Sequence, residues 1–196
     1  MRRVIGALVF ASLLSAGALP AWATTYKIDK DHSSVTFSIR HLFSKTKGQF
    51  NDFGGTFDFV PGQPEQWKAT AAIQAASIDT NVEPRDKHLR SADFFDVEQH
   101  PTITFTGTQV TDVTAERAKL HGVLSLHGVE KPVVLDVAIL GEGKDPWGNV
   151  RSGFTGTTTI NRKDFGLNWN ETLETGQLLV GEEVEITLEI EGIVQQ

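Results

Sequence analysis

Residues 85–96 read Arg-Asp-Lys-His-Leu-Arg-Ser-Ala-Asp-Phe-Phe-Asp, and they form the clearest helical segment in a chain that otherwise alternates like β-strands. Pro84 suits the first turn of a helix, and Thr80 or Asn81 is placed to cap it. The segment has only a thin apolar stripe, so it needs a larger apolar body to rest on. We therefore predict a helix and an aromatic plug, Phe94-Phe95, lying over one end of a β structure. An ordinary surface helix that links two strands is the alternative.

Elsewhere, apolar residues recur at every second position, which is typical of β-strands with one apolar and one polar face. Two clear runs are Val35, Phe37 and Ile39, and later Val184, Ile186, Leu188 and Ile190. Glycine and proline turn signals separate such runs by roughly ten residues, which favours an antiparallel barrel or sandwich over βαβ units. Closing eight such strands into a barrel removes exposed edges and leaves an interior wide enough for side chains or one small ligand.

Small residues recur at positions that this pattern assigns to the interior, where they leave volume unfilled. Alternatively, they mark tight bends and close backbone contacts, and periodicity does not separate the two readings. The residues concerned are Gly55, Ala71, Ala75, Gly107, Gly122 and Gly156.

The N-terminus has the pattern of a secretory signal peptide. Met1-Arg2-Arg3 precedes an apolar run at residues 4–19, and Ala21-Trp22-Ala23 follows as a cleavage site. We predict that residues 1–23 are removed after Ala23 and that residues 24–196 form one exported domain, in the periplasm or outside the cell. No later apolar run is long enough to span a bilayer, so we expect no stable membrane anchor. The chain has no cysteine, which excludes disulfides and thiol chemistry.

The formal net charge is −7, and loss of Arg2 and Arg3 with the signal peptide makes it −9. This acidity argues against a nucleic-acid partner. Basic residues nevertheless concentrate in two short stretches, which would form an anion site if they met in space and two solvated faces if they did not. These stretches contain Arg40, Lys45 and Lys47, and then Arg85, Lys87 and Arg90.

No catalytic or metal-binding motif stands out. His121 and His127 lie on one strand face but ~20 Å apart, and no short spacing such as H-E-x-x-H is present, so we expect no metal site unless folding gathers distant histidines. There is no G-x-S-x-G nucleophile motif. Asp93 and Asp96 could form an acid–base pair but suit caps or ion pairs better. The sequence therefore predicts a binding protein without a cofactor.

Six motifs follow one another along the chain: residues 32–42 (HSSVTFSIRHL), 85–96, 101–105 (PTITF), 128–133, 165–167 and 180–184. Together they resemble the YceI-like family of periplasmic, polyisoprenoid-binding, lipocalin-like proteins, over essentially all of residues 24–196. This resemblance implies an all-β, eight-stranded antiparallel lipocalin-like barrel with one or two short helices covering an end. It also implies that the barrel encloses an isoprenoid quinone, a polyprenyl phosphate or another long-chain lipid.

From strand parity and the resemblance together we predict which residues contact the lipid. The tail contacts are Phe37, Ile39, Phe57, Ile73, Leu89, Phe94, Phe105, Leu124, Leu135 and Phe154, each of which also fits plain core packing. The head-group candidates are Arg40, His41, Arg85 and Arg90. A carrier or sequestering protein is the leading hypothesis, and a homodimer is left open. The alternatives are a lipid-modifying enzyme that uses Asp93, Asp96 or a histidine, and an interaction or stress-response module without a tightly bound lipid.

Overall fold

The computed structural model describes residues 23–195. The predicted signal peptide lies outside this range except for Ala23. Short 3-10 turns occur at Lys30–His32, Pro64–Gln66, Ala75–Ser77 and Arg162–Phe165. In chain order, the strands and the helix are β1 (Thr24–Ile28), β2 (Ser34–His41), β3 (Ser44–Phe50), β4 (Phe53–Phe59), β5 (Lys68–Gln74), β6 (Ile78–Asp79), α1 (Glu83–Arg90), β7 (Thr102–Thr111), β8 (Arg117–Leu126), β9 (Val129–Lys144), β10 (Val150–Asn161) and β11 (Val180–Val194).

These strands form one closed antiparallel sheet. The order around it is β1-β4-β5-β7-β8-β9-β10-β11, and β1 pairs with β11 to close the ring. β2 also pairs with β11, β3 with β2, and β6 with β3, so these segments extend β1, β4 and β5 beyond a break in each strand. The wall therefore has eight strands, three of them interrupted. The predicted eight-stranded antiparallel barrel is confirmed.

Register places apolar residues opposite one another on the inner face. Phe37 lies opposite Ile186 and Val35 opposite Leu188, while on the outer face Ser38 lies opposite Glu185. Cross-strand pairs of this kind fix the register, because a slip of one residue would turn every apolar side chain outward. The alternation predicted for β2 and β11 is thus correct.

The helix and the plug occupy the predicted end of the barrel, between β6 and β7. Phe94 and Phe95 lie in turns after α1 and pack against the larger of two apolar clusters, with the Phe95 ring edge-on to Phe50 at 5.8 Å. The prediction of a plug is confirmed. The predicted cap is wrong, because Val82 precedes the first helical residue and makes no side-chain cap bond.

Arg151 joins three acidic side chains near the β9–β10 turn. Its guanidinium donates to Asp29 at 2.7 Å, to Asp145 at 2.8 Å and to Glu191. Asp145 also accepts bonds from the backbone N–H groups of Trp147 and Asn149, both at 2.9 Å. Arg151 above all, with help from these donors, holds the pKa of Asp145 well below its usual 3.8.

This depressed pKa predicts acid sensitivity. Because the folded-state pKa of Asp145 lies below its unfolded value, its stabilising contribution is complete above about pH 4 and is lost as the pH falls through the folded pKa. The free energy of unfolding of the wild type should therefore decline more steeply below pH 4 than that of Asp145→Asn. Urea denaturation at stepped pH measures this, with Asp164→Asn, a change at an exposed carboxylate, as the control that follows the wild type. Parallel curves for the wild type and Asp145→Asn would contradict the assignment.

Among residues 23–195, no helix has the length and hydropathy that crossing a membrane requires.

Candidate functional site

The barrel interior contains an elongated apolar space. Its larger part is a cavity of about 600 Å³ next to the plug, and a further part of about 140 Å³ lies among the aromatic residues of β4 and β10. The larger volume falls within the ~300–1,000 Å³ typical of ligand pockets. Six residues border both parts, which shows that the two adjoin: Ile28, Ala71, Phe105, Leu135, Leu188 and Ile190.

The small residues of the interior divide into two groups. Ala71 borders both parts of the cavity and Gly156 borders the smaller part, so these two leave open space as predicted. Gly122 instead lies against the ring of Phe105. A Cβ at position 122 would stand 2.3 Å from that ring, so only glycine fits there. Gly55 lies so close to the backbone of β5 that a Cβ would stand 2.0 Å from the carbonyl oxygen of Thr70. Close contact, the alternative reading, applies at these two glycines.

All ten predicted tail contacts lie in the cavity wall. Phe57 and Phe154 border the smaller part, and Phe105 and Leu135 border both. Their contact with a ligand stays a prediction. The common location of the eight residues on strands follows from the correct parity, whereas Leu89 of α1 and Phe94 of the plug lie there because these segments cover the end of the barrel. The larger part is bordered by Phe37, Ile39, Ile73, Leu89, Phe94, Phe105, Leu124 and Leu135.

The cavity reaches the surface beside the start of α1. Val82, which is 44% exposed, and the exposed Pro84 both border it. His41 at the end of β2 and Val180 at the start of β11 also border the cavity, and they pair with each other across the sheet. We call this opening the mouth.

Of the four head-group candidates, two border the cavity and two do not. His41 and Arg85 lie in its wall near the mouth. The Arg85 guanidinium is held by Thr80, through Nε to the hydroxyl at 2.7 Å and through Nη2 to the carbonyl at 2.8 Å. Arg40 is exposed and lies outside the wall. Arg90 donates to the carbonyls of Ala76 and Ile78, both at 2.9 Å, and so serves the backbone beside β6.

Arg162 is a site residue that the sequence did not reveal. It borders the cavity and is only 4% exposed. Its Nε donates to the carbonyl of Gly181 at 2.8 Å and its Nη1 to that of Leu167 at 2.6 Å. Within residues 23–195, its Nη2 is the one buried side-chain nitrogen or oxygen without a hydrogen-bond partner.

Burial gives Arg162 an unusual electrostatic setting. Desolvation lowers the pKa of its guanidinium, and the nearby carboxylate of Glu182 opposes that shift. A buried cation with an unused N–H donor is costly, and an oxygen atom supplied by a ligand would reduce this cost. Gly181, which accepts the Nε bond, directly follows Val180 of the mouth. A polar group held near the mouth would therefore lie close to Arg162.

Comparison with known proteins agrees with this architecture. Residues 26–192 match the family model of the YceI-like domain. The chain belongs to the YceI-like family. A UPF0312 protein of Ectopseudomonas mendocina is 45% identical over 198 residues, covering 100% of both chains.

Solved YceI-like structures share the fold. The Campylobacter jejuni YceI protein is 28% identical, with a TM-score of 0.70 over 96% of this chain and 100% of that one. A polyisoprenoid binding domain from Saccharophagus degradans has a TM-score of 0.65 and covers 88% of this chain and 99% of its own. At 16% identity, this second likeness concerns the fold alone.

Proposed function

We propose that the protein binds one long-chain amphiphilic lipid, such as an isoprenoid quinone or a polyprenyl phosphate, and carries or sequesters it in the periplasm. The observation that carries this proposal is the elongated apolar cavity with a mouth at one end. The tail lies in the cavity and the polar head rests near the mouth. Membership of the YceI-like family supports a lipid-binding barrel, as does the polyisoprenoid-binding name of the Saccharophagus degradans domain.

Apolar contact alone supplies enough free energy for such a complex. Each buried methylene group contributes about 0.8 kcal/mol, so ten of them contribute ~8 kcal/mol before entropic costs. A micromolar dissociation constant corresponds to about 8 kcal/mol. A tail that buries more than about ten methylene groups therefore has apolar free energy to offset these entropic costs without a charged clamp, and the polar groups near the mouth select the head.

We propose binding without turnover. Asp93, one of the candidate acids, is exposed and pairs with His88 at 2.9 Å. His88 borders the cavity and its ring packs against Phe94 and Trp169. This arrangement stabilises the plug, and the nearby hydroxyl of Ser91 donates to the carbonyl of His88 at 2.7 Å, which is a turn contact. A homodimer stays a prediction, because the structure describes a single chain.

The test of the function is an inventory of bound lipid. The protein is expressed with its N-terminal segment, purified from the periplasmic fraction without detergent, and measured intact by native mass spectrometry. Solvent extraction then identifies the cargo. We expect a chain that begins at Thr24 and carries one long-chain lipid. The proposal would be refuted if the protein has the mass of the bare chain and keeps it after incubation with a polyprenyl phosphate, a ubiquinone or a total lipid extract. A chemically altered lipid would instead favour the lipid-modifying enzyme.

The role proposed for Arg162 predicts head-group selectivity. The wild type should bind a polyprenyl phosphate about tenfold more tightly than the polyprenol of equal length, because a hydrogen bond between charged groups is worth roughly 1.5 kcal/mol or more. Arg162→Lys keeps the charge but loses the planar fork of donors, and should lose most of this preference.

Arg40→Gln is the matched control, since Arg40 lies outside the cavity wall, and it should keep the wild-type preference. Melting temperatures verify that each variant is folded, and fluorescence competition measures both affinities. If the wild type and Arg162→Lys prefer the phosphate over the polyprenol equally, the role of Arg162 is contradicted. The proposal that the cavity binds the tail would not be affected.

A further inference from the structure

Three potential metal ligands converge outside the cavity, where spacing along the chain does not predict them. One donor atom each of Asp96, His100 and His127 lies within 4.8 Å of the others. The two imidazole rings are 4.6 Å apart between centroids. Asp96 and His100 belong to the segment between the plug and β7, whereas His127 lies in the turn that joins β8 to β9. All three side chains are partly exposed, so an ion in solution can reach them.

The local backbone holds the ligands in position. The carbonyl oxygen of Asp96 accepts a bond from the N–H of His100 at 2.8 Å, which brings the two residues to the same side of the turn. The ring of His100 packs on Gly128, where a Cβ would stand 2.8 Å from it. A side chain at position 128 would thus displace the imidazole, and the glycine leaves it room.

His127 has the hydrogen-bond pattern of a metal-binding histidine. Its Nδ1 lies 3.2 Å from the carbonyl oxygen of Phe165. A carbonyl oxygen only accepts, so Nδ1 is the donor, and in the neutral ring this leaves the lone pair on Nε2. Metal-bound histidines commonly donate their other N–H to such an acceptor, which fixes the tautomer and the ring orientation.

The charge of Asp96 is also uncompensated. In the described part of the chain, its carboxylate forms no ion pair, and the ring of His100 makes no hydrogen bond. A second cluster, formed by Asp29, His32 and Glu191, differs in this respect. There, the guanidinium of Arg151 already binds both carboxylates. A cation is therefore expected only at the first cluster.

We propose that Asp96, His100 and His127 bind one divalent transition-metal ion of the zinc type. Two imidazoles and one carboxylate are a donor set for Zn²⁺, whereas Ca²⁺ and Mg²⁺ prefer oxygen ligands. Tetrahedral ligands at about 2.1 Å from Zn²⁺ stand roughly 3.4 Å apart. The three donor atoms, which lie within 4.8 Å of one another, would close to this spacing around the ion, and water would complete the coordination.

The ion would brace the plug. Asp96 follows Phe95 of the plug directly, His127 belongs to the β8–β9 turn, and Phe165 ends the 3-10 turn that begins at Arg162. A single ion therefore links three segments at the same end of the barrel. Because the unfolded chain lacks this arrangement, the ion stabilises the folded state in proportion to its concentration.

The test uses the untagged, chelator-treated mature chain. Calorimetric titration with Zn²⁺ should show one site with a micromolar or tighter dissociation constant, and Co²⁺ should give the visible absorption of a site with nitrogen ligands. Mg²⁺ should not compete. The melting temperature should rise with Zn²⁺.

Two variants assign the site. His127→Asn removes the imidazole, yet asparagine tolerates the left-handed backbone at position 127, where φ is 53°. It should weaken Zn²⁺ binding at least tenfold and abolish the rise in melting temperature. His32→Ala, in the cluster occupied by Arg151, should leave both unchanged. Absence of Zn²⁺ binding by the wild type, or undiminished binding by His127→Asn, would overturn the proposal.

Discussion

Replacing Ala71 with phenylalanine is expected to weaken lipid binding about 100-fold and to leave the barrel folded. Ala71 borders both parts of the cavity, so a ring on its Cβ would project into the narrow region where the two meet. Excluding three or four methylene groups of the tail removes about 2.7 kcal/mol, which corresponds to that loss of affinity. Titration with a fluorescent polyprenyl analogue measures the dissociation constant.

The neighbouring residue supplies the control. Ala72 is exposed on the outer face of the same strand, so Ala72→Phe adds the same side chain without entering the cavity. It should bind lipid as the wild type does. Circular dichroism and melting temperatures show whether both variants fold. If Ala71→Phe folds and binds with wild-type affinity, the tail does not run past this position and the proposed path is wrong.

Replacing Asp86 with alanine should destabilise the protein by about 3 kcal/mol, because it would leave buried donors without an acceptor. Asp86 is only 3% exposed, and its Oδ1 accepts the backbone N–H of Thr80 at 2.9 Å and the Thr80 hydroxyl at 2.5 Å. Thr80 in turn holds the guanidinium of Arg85 at the mouth. Urea denaturation gives the change in the free energy of unfolding.

Asp93→Ala is the comparison within the same segment. The Asp93 carboxylate is 59% exposed and pairs with a histidine that is also partly exposed, so its loss should cost no more than about 1 kcal/mol. Asp86→Asn keeps one acceptor oxygen in place and should lie between the two. A cost below 1 kcal/mol for Asp86→Ala would show that Thr80 finds other partners and that this network is not what holds the mouth.

The sequence predicts the barrel and the cavity wall well for a simple physical reason. Alternation fixes which side chains of a strand face inward, and in a closed sheet every inward face meets the same interior. Phe37 on β2 and Phe105 on β7 could therefore be assigned to one wall without knowledge of their distance.

The surroundings of the polar residues at the site could not be predicted in this way. Arginine next to a turn is usually a surface charge, and nothing in residues 161–165 reveals that Arg162 is buried by Leu167 and Gly181. His100 and His127 meet only because the plug folds back onto the β8–β9 turn. Arg90 was predicted to face a head group, yet carbonyls beside β6 satisfy its donors. Such contacts depend on tertiary packing, which alternation does not encode.

Arg90 also gives the wall a seam. β6 bonds to β3, and the guanidinium of Arg90 bonds the carbonyl of Ile78 in β6 and that of Ala76 in the 3-10 turn just before it. A side chain can release and remake two such bonds by changing rotamer, whereas parting two paired strands breaks a whole ladder. The wall beside β6 is therefore completed by two side-chain hydrogen bonds, which are more easily broken than a ladder of paired backbone bonds.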